Sequence, residues 1–428
     1  MTDQSTTCSP DSHPPLFEYV PIEEVERLER YKPGGYHPLV VGDTIKARYQ
    51  IVHKLGYGTY STTWLCWDDQ SSSYVAVKVG TGDSNPREAE VVSLLNSDSR
   101  SSNYPGTAMI PTIQDRFVLR GPNGIHPCYV TTPAMCSISG AKDGSYRRIF
   151  QATTARSLSA QLVLALAYVH ARGIVHGDLH LGNALLRLPA DFDKLSMEQF
   201  YTKFGRPSTQ PVARLDGEAL TPNVPSSATP PIWLGKASEE FSLSDARVFL
   251  SDFGEAYSPS TESRYESHAP FSVAPPEARF ELKRGLSFSS DVWTLGCAIW
   301  AILGQRPLFD DFLATQDDIT AEQIDVLGEL PPEWRIEWGA RHEYFSESGE
   351  PRPDRHVRSW DDRFEAHIQR PRRELGIPEF EEGEKVAVTN MLRSMLAFQP
   401  EKRATMQDIL RCDWMVKWAL PEYKRSLL

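Results

Sequence analysis

The stretch that decides the fold is IVHGDLHLGNALL, residues 174–186 of a 428-residue chain. Apolar residues flank a polar centre, in which Asp178 is followed five residues later by Asn183. Gly-Asp and Gly-Asn pairs also occur in ordinary turns. The stretch is therefore interpreted together with the motifs on either side of it.

A second acidic turn follows downstream in FLSDFG, residues 249–254. Asp252 comes directly after an apolar strand pattern, and Gly254 permits a sharp backbone turn. A carboxylate in this position can chelate a magnesium ion that bridges phosphate groups. The motif therefore predicts a metal ligand at Asp252.

Glycines mark a turn near the start of the chain, in LGYGTYSTT at residues 55–63. Strand patterns at 49–55 and 61–67 flank it. Gly56 and Gly58 allow the backbone to approach a polyphosphate closely, and amide groups there can cradle phosphate oxygens. Ser61 stands where a third glycine is usual. A plain hairpin turn explains the stretch equally well, whereas a Rossmann turn is disfavoured because no helix follows directly.

A third strand pattern, at 74–79, contains Lys78. A helical pattern with Pro86 at its start then covers 87–96 and carries Glu88. Lys78 lies some twenty residues after the glycines, as the strand-3 lysine of protein kinases does. Glu88 is the predicted ion-pair partner of Lys78, and Glu90 is the second choice. Ordinary helix surface charge is the alternative for both glutamates.

Further motifs follow in a fixed order: A-P-P-E ending at Glu277, D-V-W-T-L-G starting at Asp291, and P-E-K-R ending at Arg403. Each alone is compatible with core packing. Together, the motifs resemble the eukaryotic protein kinase superfamily over residues 48–420. The lead-in G-G-Y-H-P at residues 34–38, with K-L-G-Y-G and S-T-T-W-L after it, resembles the SR-protein kinase family, serine/threonine kinases of Arg-Ser-rich splicing factors.

The resemblance implies an α+β, two-lobed protein kinase fold. A small antiparallel β N-lobe with one main helix is expected at about 48–134, and a larger, mainly α C-lobe at about 135–420. Long helices are expected at about 155–173 and around 290–304. Residues 1–47 are expected to be a disordered tail and lead-in, and 421–428 a C-terminal tail. The proline-rich stretch 187–249 is predicted to be an inserted, partly disordered loop.

The resemblance also assigns roles to residues. Asp178 would orient the substrate hydroxyl as the catalytic residue, with Lys78 and His180, and Mg²⁺ would be held by Asn183 and Asp252. With Thr131 as gatekeeper, the ATP site would be formed by Leu55, Gly56, Tyr57, Gly58, Thr59, Tyr60, Ser61, Thr62, Thr63, Ala76, Lys78, Glu88, Thr132 and Ala134.

Two residues depart from the family pattern. Gly177 replaces the arginine that receives an activation-loop phosphate in many kinases, which predicts a kinase that is not switched on by phosphorylation. His180 replaces the lysine that usually contacts the γ-phosphate. Histidine is only partly charged at neutral pH, so slower turnover or an altered pH dependence is expected.

Two other functions remain open. The H-G-D-L-H stretch also resembles aminoglycoside and fructosamine kinases, which phosphorylate small molecules but lack the A-P-E segment and its arginine. The second alternative is a nucleotide-binding scaffold without useful catalysis, which His180 favours.

Composition narrows the expected partners. The net charge is −12, which argues against general binding to nucleic acid or membranes. The N-terminus lacks a secretion pattern, and the cysteines form no Cys-x-x-Cys pair, so reduced thiols in a protein of the cytosol or nucleus are expected. A monomer is expected as well. Protein substrates are implied, Arg-Ser-rich proteins among them.

An acidic cluster in the C-lobe is a candidate docking surface for arginine-rich substrates, since relatives use an acidic groove near this region. Its members are Asp310, Asp311, Asp317, Asp318, Glu322 and Asp325. The alternative is a solvated helical face, neutralised by the arginines downstream. These arginines are Arg352, Arg355, Arg358, Arg370, Arg372 and Arg373.

Overall fold

A computed structural model describes residues 17–97, 104–310 and 312–428. The chain forms two compact units, each built from three separate segments. Unit 1 contains the described residues 17–86 together with 114–131 and 191–232. Unit 2 contains the described parts of 87–113, 132–190 and 233–428.

The strands are, in chain order, β1 (Thr44–Ile45), β2 (Tyr49–Gly58), β3 (Ser61–Asp68), β4 (Ser73–Gly80), β5 (Asp115–Gly121), β6 (Gly124–Thr131), β7 (Ala134–Ser137), β8 (Ala184–Arg187), β9 (Gln210–Pro211), β10 (Ser227–Ala228) and β11 (Val248–Leu250). The helices are α1 (Arg87–Asn96), α2 (Ile138–Asp143), α3 (Ala152–Ala171), α4 (Met197–Phe204), α5 (Glu277–Phe280), α6 (Phe288–Leu303), α7 (Gln316–Leu327), α8 (Pro332–Glu337), α9 (Arg341–Tyr344), α10 (Trp360–Phe364), α11 (Arg370–Glu374), α12 (Glu382–Met395), α13 (Met406–Arg411) and α14 (Leu420–Ser426).

The main element of unit 1 is an antiparallel sheet with the strand order β1-β2-β3-β4-β6-β5. Alternate residues of its strands are β-branched or aromatic and point to one buried face. Ile51, Trp64, Val75, Val77 and Val130 form the centre of this face. The strands predicted at 49–55, 61–67 and 74–79 are confirmed as β2, β3 and β4.

The inserted stretch is more ordered than its composition suggests, and the prediction of a partly disordered loop for residues 187–249 was wrong in this respect. Helix α4 begins with a capping box in which Ser196 and Gln199 satisfy each other's backbone groups. Phe192 and Phe200 pack against Tyr74 of β4, with ring centroids 5.1 and 5.5 Å apart. Aromatic packing on the sheet of unit 1 therefore orders this segment.

The lead-in is likewise folded from Phe17 onward, whereas residues 1–16 of the predicted tail lie outside the described part of the chain. Within the described residues 17–47, the lead-in contains a single helical turn, a 3-10 turn at Leu28–Arg30. Tyr31 and Tyr36 of the lead-in share a small core with Val212 and Val224 of the insert. The two segments stabilise each other within unit 1.

Unit 2 is mainly helical, with the short sheet β11-β8-β7. Helices α3 and α6 form its centre, because both are apolar on nearly every side and bury residues such as Leu162, Leu166, Trp293 and Trp300. The predicted end of α3 near Gly173 is confirmed, with Gly173 in a left-handed conformation at φ +73°.

Among the described residues, no helix is long and apolar enough to cross a membrane. The described cysteines, Cys66, Cys128, Cys136, Cys297 and Cys412, are free thiols.

Candidate active site

The glycine motif is the tip of a hairpin in unit 1. Gly58 pairs with Ser61, so Thr59 and Tyr60 form a two-residue turn between β2 and β3. A Cβ atom added to Gly56 or Gly58 would meet nothing within 4 Å, and neither residue has a left-handed φ. The fold itself therefore does not require glycine at either position.

Lys78 lies in the same row of the sheet as the glycine hairpin. Thr63 pairs with Gly56 on one side and with Lys78 on the other. Directly opposed residues of neighbouring antiparallel strands point to the same face, so Lys78 shares the face of Gly56. The Lys78 ammonium lies 5.9 Å from the ring centroid of Tyr129. Ala76, two residues earlier on β4, is on the same face and is buried.

The catalytic-loop motif follows α3 in unit 2 and is fixed to α6 by one buried carboxylate. Asp291 accepts hydrogen bonds from the backbone N–H groups of His176 (2.7 Å) and Gly177 (2.9 Å). Its Oδ2 also lies 2.8 Å from Nε2 of His170. These contacts fix the backbone of the loop immediately before Asp178.

His176 joins the two acidic turns. Its Nδ1 accepts from the backbone N–H of Asp178 at 3.3 Å, which leaves Nε2 to carry the proton and donate to the Ser251 carbonyl at 3.0 Å. The buried ring packs on Phe253, with centroids 4.9 Å apart.

Asp178 is held by Asn183 of the same loop. The Asn183 amide donates to the backbone carbonyl of Asp178 at 2.8 Å and to its Oδ2 at 3.1 Å. Within the described part of the chain, the buried Oδ1 of Asp178 has no hydrogen-bond partner. One oxygen of this carboxylate therefore remains available to a group outside the chain.

His180 faces the same carboxylate. Its Nδ1 accepts from the backbone N–H of Gly182 at 3.0 Å, and its Nε2 lies 3.7 Å from Oδ2 of Asp178. Because Nδ1 is an acceptor here, the ring is neutral in this arrangement and its proton is on Nε2.

Asp252 is brought to Asn183 by the pairing of β8 with β11. Ala184 pairs with Leu250, and the backbone N–H and hydroxyl of Ser251 both donate to the Asn183 carbonyl at 2.9 Å. Asp252 follows in a left-handed conformation at φ 60°, which is uncommon for a residue other than glycine. Such strain is concentrated at functional sites.

The remaining predicted site residues lie in both units. Thr132 and Ala134 come directly after β6 and belong to unit 2, where Ala134 begins β7. Helix α1 buries Ala89, Val92 and Leu95. Glu88 is half-buried, whereas Glu90 is exposed. This difference favours Glu88 as the functional glutamate, and its pairing with Lys78 stays a prediction.

An ion pair joins the A-P-P-E motif to the P-E-K-R motif. Arg403 donates to Glu277 at 2.8 and 2.6 Å, and both side chains are buried.

Gly177 is required by the fold, in contrast to Gly56 and Gly58. Its φ is +81°, and a Cβ atom there would lie 2.7 Å from the carbonyl oxygen of Glu255. In the segment after Asp252, Arg264 bonds to both Glu255 and Glu262, and Arg87 of α1 reaches Glu262 at 2.5 Å. Ion pairs within the protein therefore hold this segment without a phosphate.

The acidic cluster is not a set of free carboxylates, which favours the alternative of neutralisation by downstream arginines over a docking surface. Asp325 pairs with Arg355 at 2.5 Å, and Glu322 pairs with Arg358 and Arg363. The other described members also have partners. Asp317 pairs with Arg279 and accepts a hydrogen bond from the Trp338 indole. Asp318 accepts from the hydroxyls of Thr315 and Tyr344, and Asp310 accepts from the backbone N–H of Phe312. Asp311 lies outside the described residues.

Two features of the site were missed in the sequence. The Tyr36 hydroxyl donates to the Gly58 carbonyl at 2.7 Å. A buried pair between Lys54 and Glu26 lies beside it in unit 1. The G-G-Y-H-P motif marked Tyr36 as unusual, but nothing in the sequence indicated its contact.

Comparisons with known proteins find serine/threonine protein kinases. A serine/threonine protein kinase of Aspergillus fumigatus is 27% identical over 418 residues, which cover 94% of this chain and 93% of the relative. The serine/threonine-protein kinase SRPK of Physarum polycephalum is 28% identical over 410 residues, covering 92% and 91%. SRSF protein kinase 3 of Homo sapiens is 34% identical over 169 residues, covering 38% of this chain and 30% of the relative.

A crystal structure of a kinase domain matches with a TM-score of 0.57 at 18% identity and covers 89% of this chain and 98% of that domain. No protein-family model matches the chain. The fold is the expected α+β, two-lobed protein kinase fold. The chain is therefore a eukaryotic-type protein kinase. More narrowly, it is a protein serine/threonine kinase whose relatives include SR-protein kinases, and protein kinases as a class use ATP and Mg²⁺.

Proposed function

We propose that this kinase transfers the γ-phosphate of Mg-ATP to protein hydroxyls with Asp178 as the catalytic residue. The observation that carries this assignment is the buried Oδ1 of Asp178, which has no partner among the described residues. A buried acceptor without a donor is costly. A substrate hydroxyl is the donor that suits it, and its proton would be accepted or oriented there.

Asn183 and Asp252 are the proposed magnesium ligands. Both offer oxygen atoms, which Mg²⁺ prefers, and they lie at the same end of the β8–β11 pair. When bound, the ion would neutralise charge on the phosphates during transfer. The left-handed backbone of Asp252, together with the exposure of its side chain, supports this role.

The glycine hairpin and Lys78 are the proposed phosphate site. Gly56 and Gly58 serve no steric purpose within the fold, so their lack of a side chain is best explained by the close approach of a ligand. Lys78 shares their sheet face and would supply the positive charge. Leu55, Ala76, Thr132 and Ala134 are the proposed contacts to the adenine.

Arg-Ser-rich proteins are the proposed substrates, in the cytosol or nucleus. The support is the similarity to relatives named SRPK and SRSF protein kinase 3. The acidic cluster adds little support for arginine-rich substrates, because its described carboxylates are already engaged by arginines or by hydrogen-bond donors of the chain.

A catalytically weak, nucleotide-binding scaffold is the second candidate, and the neutral His180 beside Asp178 favours it. A small-molecule kinase is disfavoured by the buried Glu277–Arg403 pair, which belongs to the protein kinase motifs.

The test is phosphate transfer from labelled Mg-ATP by the full chain. An Arg-Ser repeat peptide, a Lys-Ser repeat peptide of equal charge, a generic basic protein and an aminoglycoside serve as acceptors. Asp178→Asn keeps the size of the side chain but removes its charge, so we expect transfer to fall by at least about a hundredfold.

Each outcome decides between the candidates. Transfer to the Arg-Ser peptide alone supports the full proposal. Equal transfer to both peptides discards the Arg-Ser preference, and transfer to the aminoglycoside alone discards the protein substrate. ATP binding without transfer to any acceptor supports the scaffold.

A further inference from the structure

The lead-in of the chain reaches the tip of the glycine hairpin within unit 1. The Tyr36 side chain is 3% exposed, and its hydroxyl donates to the Gly58 carbonyl at 2.7 Å. Gly58 itself is exposed at the end of β2. Burial raises the pKa of Tyr36, so the hydroxyl remains a donor throughout the physiological pH range.

A second connection runs through the turn after β4. The Thr81 N–H donates to the carbonyl of Tyr60 in the hairpin turn at 2.9 Å. The next two N–H groups, of Gly82 and Asp83, donate to the carbonyls of Gly35 and Gly34 at 2.9 and 2.8 Å. The backbone of the lead-in therefore also supports the turn after β4, which in turn holds Tyr60 of the hairpin.

Tyr36 is held rigidly from several sides. A Cβ atom added to Gly35 would lie 1.8 Å from the carbonyl oxygen of Arg30, so only glycine permits the close turn that presents the tyrosine. The Arg30 guanidinium lies 5.1 Å from the Tyr36 ring centroid, and the Tyr31 ring lies 5.5 Å away. These contacts fix the direction of the hydroxyl.

The insert completes this support. The Asn123 amide donates to the Tyr36 carbonyl at 2.6 Å and to the Asn223 carbonyl at 2.8 Å. The Asn223 amide donates back to Asn123 at 2.6 Å. Val212 and Val224 pack in the same small core as Tyr36. The lead-in and the insert thus form one layer behind the hairpin.

We propose that Tyr36 is a positioning residue of the ATP site, and that the lead-in and insert act as a brace that presets the glycine hairpin for the polyphosphate. The brace rests on the proposed function, since it assumes that the hairpin binds ATP. Its action is to reduce the number of conformations that the hairpin must lose when the nucleotide binds. Tyr36 itself touches no reacting atom.

The experiment compares Tyr36→Phe with the wild-type chain. Phenylalanine keeps the ring packing and removes only the hydroxyl, and the exposed Gly58 carbonyl can be rehydrated, so the fold is retained. One hydrogen bond to the tip should change the KM for Mg-ATP by about two- to tenfold, with kcat within about twofold. The KM for the peptide should not change.

Tyr201→Phe is the matched control, because its hydroxyl donates to another carbonyl of β2, that of Val52, at 3.3 Å. This contact lies six residues before Gly58, away from the hairpin tip. We expect the control to leave both kinetic constants unchanged.

Hydrogen exchange of the nucleotide-free protein separates this proposal from the proposed function. The Tyr60 and Ser61 amides should exchange severalfold faster in Tyr36→Phe and at the wild-type rate in Tyr201→Phe. If wild-type chain transfers no phosphate but these rates differ, the proposed function fails and the brace stands as a structural device. Equal exchange rates, or an unchanged KM for Mg-ATP in an active Tyr36→Phe enzyme, would overturn the brace.

Discussion

Arg403 and Glu277 form two parallel hydrogen bonds of 2.8 and 2.6 Å, with 0% and 2% of their side chains exposed. Removing one partner of such a pair leaves an uncompensated buried charge. We expect Arg403→Met to lower the free energy of unfolding by about 3–5 kcal/mol, measured by urea denaturation.

The double variant Glu277→Gln with Arg403→Met removes both charges and should cost less than the sum of the two single changes. A cost equal to that sum would show that the pair is not coupled.

Gly177 should be less tolerant of a side chain than Gly173, although both have a left-handed φ, of +81° and +73°. A Cβ atom at Gly173 meets nothing within 4 Å, whereas at Gly177 it lies 2.7 Å from the Glu255 carbonyl oxygen. Gly173→Ala should therefore cost about 1 kcal/mol for the backbone alone. Gly177→Ala should cost about 1–3 kcal/mol more. Similar melting temperatures for the two variants would contradict the clash.

Activity should not depend on phosphorylation of the segment after Asp252. Arg264 is already paired with Glu255 and Glu262, and no arginine stands at position 177 to receive a phosphate. Phosphatase-treated protein should keep its kcat, while Arg264→Ala should lower it. Loss of activity after phosphatase treatment, confirmed by mass spectrometry, would remove this hypothesis.

His180→Lys should raise kcat by about two- to tenfold, because a permanent positive charge would replace a ring that is neutral in this arrangement. His180→Gln, which is also neutral, should behave like the wild type. The readout is steady-state kinetics at pH 7 with saturating Mg-ATP. A slower His180→Lys enzyme would indicate that the ring, rather than its charge, is what the site requires.

Stability should fall as the pH decreases from about 6.5 towards 4. Burial and the neighbouring His126 lower the pKa of His37 from 6.5 to about 4, although Asp43 acts in the opposite direction. The unfolded chain then binds this proton at a higher pH than the folded chain, so the contribution of His37 is present above pH 6.5 and is lost towards pH 4. Melting curves between pH 7 and 4 measure the slope.

His37→Gln should flatten this pH dependence, and a change at the exposed His342 should not. An identical slope in the wild type and in His37→Gln would exclude His37 as the cause.

The sequence was most informative where periodicity and motif coincide. Strands β2 to β4 and helix α1 lie where alternation and helical spacing predicted them. The pairing of β8 with β11 explains why the segments of Asn183 and Asp252, far apart in sequence, lie side by side. The roles of these residues in catalysis and metal binding stay predictions that the experiments above address.

Two features could not be decided from the sequence. Neutralisation of the acidic cluster by downstream arginines was one of two alternatives, but the pairs Glu322–Arg358 and Asp325–Arg355 span 36 and 30 residues, and no local pattern identifies such partners. The insert looked disordered because its prolines hide any periodicity. Its Ser196–Gln199 capping box was nevertheless visible as a helix start signal.

The division of unit 1 into three segments has a consequence for synthesis of the protein. Its last segment, 191–232, supplies Val212 and Val224 to the core behind the glycine hairpin. A ribosome must therefore translate more than half of the 428 residues before this unit can close. Until then the nascent chain exposes the side chains that this segment covers, such as Tyr31, Tyr36 and Tyr74, and such long-range closure is slow and prone to aggregation. We expect cells to meet this delay with chaperones that bind the emerging chain.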